Sequence, residues 1–164
     1  MFELNYRIVP NEYDDFVGQN GFFQIKCNGY IYGEIYPQEI EEFMDKVSLY
    51  DWFERMAKVI KSLMIKDYVA LSDVESYNTW IVFEKRNEDV IISIVKALKE
   101  QGSHDVEFSL KDPKDGKWIN QIISFEQLKR EVIKKGREYI KNIISNNKEN
   151  ALFNEIKQKF DEIK

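Results

Sequence analysis

The sequence predicts an α+β domain with an antiparallel sheet built from successive hairpins, and three observations carry that prediction. Short apolar runs alternate with polar residues at the period of a strand. Turn signals of the hairpin type separate those runs. Helical patterns fall between and after the hairpins and do not alternate with single strands, as an α/β chain would require.

Phe2 to Val9 opens as a strand, with Phe2, Leu4, Tyr6 and Ile8 alternating with Glu3, Asn5 and Arg7. Gly21 to Tyr36 holds two apolar-rich runs around Asn28-Gly29, a strong hairpin signal. A three-residue loop there sorts the faces best. It places Phe23, Ile25, Ile31, Gly33 and Ile35 on one face, and Phe22, Gln24, Lys26, Tyr32, Glu34 and Tyr36 on the other.

Pro37 to Lys66 reads as helix, with Pro37 in the first turn and Glu39, Glu41 and Glu42 at the positive end of its dipole. Ser48 is a candidate break within it. Leu49, Trp52, Phe53, Met56, Val59, Ile60 and Leu63 form the stronger apolar stripe.

Tyr68 to Leu71 reads as a short strand. Thr79–Lys85 and Val90–Lys96 read as a second hairpin, and Val106–Leu110 and Trp118–Ile123 as a third. Ser124 with Gln127 makes a capping box, opening a helix to about Ser145. In its stripe Gly136 is either a point of close approach to another backbone or a tolerated glycine. Asn146-Asn147 interrupts the pattern, and a last amphipathic helix follows, with Leu152, Ile156, Phe160 and Ile163 aligned. The expected organisation is a single domain over 1–164, with a core of 1–145 and a helical appendage at 146–164.

Composition narrows the function classes. Hydrophobic residues are 43% and aromatics 14%, enough for a sizeable core. One cysteine, Cys27, and no basic-then-apolar leader fit a cytoplasmic protein. No apolar run is long enough to span a bilayer. The net charge is −5. Residues 1–80 carry 7 Lys/Arg against 14 Asp/Glu, and the remainder is +2. An acidic half argues against nucleic-acid binding and suits a basic protein partner, although solubility alone also accounts for it.

The chain is not expected to be an enzyme. His104, the only histidine, sits beside Asp105 in a polar loop and reads as solvated. Cys27 has no base near it in sequence and reads as a buried small hydrophobe. No metal or cofactor is expected: one His and one Cys cannot make a usual zinc set, and Glu12, Asp14 and Asp15 lack the spacing of a calcium loop. No phosphate-binding glycine loop occurs. Lys129, Arg130, Lys134, Lys135, Arg137 and Lys141 alternate with Glu126, Glu131 and Glu138, as on a salt-bridged solvated face. Surface recognition remains. The hairpin's outer aromatics mixed with polar groups have the composition of a protein contact, unless the chain's own helices cover them.

The Gly21–Tyr36 hairpin followed by an amphipathic helix, the later Trp80-Ile81-Val82-Phe83-Glu84 strand, and the terminal helix together resemble small bacterial immunity proteins of polymorphic and contact-dependent toxin systems. The Lys-rich composition, with 19 Lys among the 24 basic residues, fits a low-GC bacterial source. The resemblance implies a non-enzymatic protein that neutralises a cognate basic toxin, such as a nuclease. The contact expected is Phe22, Gln24, Tyr32, Glu34 and Tyr36 of the hairpin with Glu39, Glu41, Glu42 and Asp45 after it. A regulatory or assembly module without a toxin partner is the alternative, and an enzyme the third.

Overall fold

Asn28 and Gly29 both have positive φ, 49° and 89°, and Cys27 pairs directly with Tyr30. This is the two-residue type I′ turn that matches the twist of a hairpin. The expected three-residue loop is therefore corrected, because two left-handed residues close the turn more tightly. The slip moves Tyr30 and Tyr32 onto the face of Ile25 and Cys27, and Ile31 and Gly33 onto that of Gln24 and Lys26.

The computed structural model describes residues 1–145 and 150–164. Phe2–Ile8 (β1) pairs with Asn20–Cys27 (β2), which pairs with Tyr30–Gly33 (β3). A 3-10 turn follows at Gln38–Phe43, and then Val47–Ser48 (β4) returns to pair with Asn20 and Gly21 of β2. The helix expected from Pro37 thus begins only at Leu49. Backbone pairing to β2 holds Val47 and Ser48 extended, and tertiary pairing overrides a local helical pattern. Leu49–Leu63 (α1) starts at the predicted break, where Ser48 Oγ accepts from Asp51 N at 3.2 Å as N-cap.

The second sheet is built from Tyr68–Ser72 (β5), Thr79–Arg86 (β6), Asp89–Lys96 (β7), Val106–Glu107 (β8), Lys114–Asp115 (β9) and Gln121–Ser124 (β10). Its order is β10-β7-β6-β5-β8, all antiparallel, with β9 beside β10 on the edge of β7. The expected third hairpin does not form. Its first arm adds to β5 and its second to β7. Ser124 caps Phe125–Ile144 (α2) through Gln127 N, as predicted.

Both sheets and all the helices feed one core. Leu4, Phe23 and Ile25 of the first sheet join Val69, Ile81, Phe83 and Ile92 of the second around Phe53, Met56, Leu128 and Tyr139. The last helix, Ala151–Asp161 (α3), inserts Phe153, Ile156 and Phe160 into that core, so the 146–164 segment shares it and Phe153, not Leu152, leads the stripe. The Phe160 ring lies on Gly136, where a Cβ would occupy the same space. The close approach there is to a ring and not to backbone. The Asn146-Asn147 break lies outside the described residues. Among those residues no helix is long and apolar enough to cross a membrane.

Candidate functional site

On its second edge β2 is paired by β3 at residues 24–27 and by β4 at residues 20–21. Between the two partners the ladder is interrupted at Phe22 and Phe23. Gly33 makes the break possible: at φ +82° it turns the chain away after pairing with Gln24, and any Cβ there would collide with the Phe23 carbonyl. A cleft of about 320 Å³ opens at this gap, against the β5–β6 connection of the second sheet.

Aromatic rings wall the cleft. Trp52 stacks on Phe23 at 4.8 Å, and Tyr36 meets the Phe22 ring edge-on at 5.3 Å. Four carboxylates, Glu34, Asp45, Asp73 and Glu75, line it with one cation, Lys117. Tyr32 donates its hydroxyl to Asp73, and Asp73 Oδ1 accepts from Glu75 N at 2.7 Å, tying the hairpin to the second sheet. Burial pushes the Tyr32 hydroxyl well above its usual range, and the Asp73 charge adds to the effect. Burial also raises the Glu75 carboxyl, which a Ser48 backbone hydrogen bond partly offsets.

The structure brings five of the nine expected contact residues to this cleft: Phe22, Tyr32, Glu34, Tyr36 and Asp45. Phe22 is there only as wall. It is 2% exposed, because the Arg7 guanidinium lies 5.3 Å from its ring centre and Tyr36 flanks it. The open aromatic face expected from Phe22 is thus covered by the chain's own strap. Arg7 holds that strap by donating to the Tyr36 carbonyl and pairing with Glu41 at 3.0 Å. Gln24, on the same face of β2 as Phe22, is half-buried and does not line the cleft. Glu39 and Glu42 stand exposed on the 3-10 turn, beside Ile40 and Phe43, which are 41% and 77% exposed.

Asp73, Glu75, Trp52 and Lys117 were not expected here. Trp52 carries a sequence signal only as part of the α1 stripe. The other three come from connections distant in sequence, and no local pattern joins them to the hairpin.

The residues weighed for chemistry lie elsewhere. Cys27 is buried on the inner face of β2, and burial lifts its thiol to about 11. His104 is exposed in its loop, and Asp105 beside it is paired with Arg55 at 3.1 Å and Lys58 at 3.0 Å. Asp14 is committed to its own turn, accepting from Asn11 N and Asn20 Nδ2. Other hollows among the described residues include one of about 520 Å³ near Lys96 and Lys114 and one of about 530 Å³ along the α2–α3 seam. Neither contains an expected contact residue. The chain was compared with protein-family models, curated proteins and solved structures, and it matches none of them.

Proposed function

We propose that the protein is a non-enzymatic immunity protein that binds and neutralises a basic cognate toxin, using the cleft and the adjoining 34–45 strap as its contact. One observation carries the reading. Glu34, Asp45, Asp73 and Glu75 line the cleft, Glu39 and Glu42 flank exposed Ile40 and Phe43 on the adjoining 3-10 turn, and none of the six acids is in an ion pair among the described residues. Acids without ion-pair partners beside exposed apolar side chains are what a basic partner would complement, and such charge chiefly speeds encounter.

The test is co-expression with the product of the neighbouring gene, scoring growth. Rescue by the wild-type chain is expected, and toxicity that persists beside soluble wild-type protein refutes the reading. Reversing Glu39, Glu42 and Asp45 to Lys should slow association by about tenfold at low salt, with the difference shrinking as salt rises. An unchanged on-rate would remove the strap from the contact.

A further inference from the structure

We propose that the cleft between β3, β4 and the β5–β6 connection is a socket for a single organic cation, the guanidinium or ammonium of an arginine or lysine side chain from a protein partner. The inference deepens the reading above and rests on it for the partner being a protein.

Two independent features of the cavity select the same ligand class. Its walls are aromatic: Trp52 is closed by its stack on Phe23, the half-buried Tyr32 and Tyr36 rings are left to meet a ligand, and aromatic rings attract cations that have lost part of their hydration. Its polar groups are carboxylates arriving from separate elements: Glu34 after β3, Asp45 before β4, and Asp73 and Glu75 after β5. These carboxylates are spread around the cavity. Among the described residues no three His, Cys, Asp or Glu side chains converge closely enough to hold a metal ion. Dispersed carboxylates over an aromatic wall suit a broad, weakly hydrated cation better than a small hard one, and arginine fits that description best.

Lys117 adds a third observation. It lies on the connection from β9 to β10, lines the cleft, and forms no ion pair or hydrogen bond among the described residues. The chain thus already brings one cationic residue to the lining without fixing its charge. An incoming cation competes with Lys117, so removing Lys117 should strengthen binding.

The full chain, labelled with ¹⁵N, is titrated with N-acetyl-arginine amide and followed by NMR. N-acetyl-citrulline amide serves as the neutral isostere. The arginine probe should shift Gly33, Val47, Glu75 and the Trp52 indole saturably, with millimolar affinity, and the citrulline probe should not. Glu34→Gln with Glu75→Gln should weaken the arginine probe about tenfold. Asp45→Asn, at an exposed position, gives a second variant should the first lose its native spectrum. Lys117→Ala should tighten binding several-fold, and Glu155→Gln on α3 should leave it unchanged.

Equal binding of citrulline, shifts spread over α3 as strongly as over the cleft, or indifference to Lys117→Ala would each overturn the socket. Tighter seating of spermidine than of the arginine probe would overturn a protein side chain as its occupant. The titration needs no toxin and the growth assay needs no probe, so failure of the socket and failure of the immunity reading are separable.

Discussion

Replacing Gly136 by Ala should destabilise this protein, although the position lies in the middle of a twenty-residue helix. In an isolated helix the change would be favourable by about 1 kcal/mol, because glycine is the poorest ordinary helix former. Tertiary packing reverses the sign. A Cβ at 136 falls within the ring of Phe160, which is fully buried. The ring has two ways to respond. It can be forced off its rotamer against its neighbours, at about 1–3 kcal/mol. Otherwise α3 must lift, and burial of a side chain such as Phe153, Ile156 or Phe160 is worth about 1.5–3 kcal/mol each. The first is cheaper, and a Cβ 2.0 Å from a ring atom puts it in the upper half of that range, so after subtracting the helix gain the net loss is about 1–2 kcal/mol, or about 3–6 °C in Tm for a chain of this length. Urea unfolding of the wild type, Gly136→Ala, Phe160→Leu and the double variant measures it. The double variant should be more stable than the sum of the single effects allows, since leucine clears the space the methyl needs. A Gly136→Ala protein as stable as wild type, or a cycle with no coupling, would refute the packing of α3 on α2.

Other consequences are equally open to measurement. Gly29→Ala should cost about 1 kcal/mol from left-handed strain alone, since nothing lies within 4 Å of the new methyl; an unchanged urea midpoint would exclude the type I′ turn. The Asp105 carboxyl is pushed up by burial but held below its usual range overall by the Lys58 hydrogen bond and the Arg55 charge. Its contribution is therefore present above the ordinary carboxylate range and lost as pH falls through the lowered value. Asp105→Asn should cost under about 1 kcal/mol at neutral pH and nothing in strong acid, because the group is part-exposed; an identical loss at both would exclude the ion pair. For Cys27 the raised thiol stabilises the fold below its ordinary pKa of 9.0, and that contribution is lost as pH rises through about 11. Thiol reagents should modify it at neutral pH only as fast as the chain opens, and labelling at the rate of a free cysteine would contradict its burial.

Local chemistry in the sequence was sufficient for several elements. Ser124 with Gln127, and the stripe from Leu128 to Ile143, determined α2, because a capping box and a 3.6-residue period act within a few residues of chain. The alternation in Phe2–Ile8 and the Asn28-Gly29 dipeptide determined two paired strands and the place of their turn. The register did not follow from the same residues. Face sorting favoured a longer loop, since Tyr32 looked polar enough to face water. In the fold it faces inward, because Asp73, forty-one residues on, accepts its hydroxyl.

The candidate site shows the same division. Glu34, Tyr36 and Asp45 could be singled out because composition along one stretch of chain is acidic and aromatic. Asp73, Glu75 and Lys117 complete the cleft from connections that the second sheet carries there, and distance in space has no trace in a single sequence. Val47 and Ser48 were hidden for a related reason: their pairing to Asn20 and Gly21 is a backbone interaction, indifferent to side-chain pattern. The sequence by itself determined an acidic α+β chain, the capped helix α2 and the place of its first hairpin turn. Only the tertiary structure decided which faces of that hairpin are covered and that an aromatic, carboxylate-lined cleft opens beside it, because both depend on strand partners that local propensity does not choose.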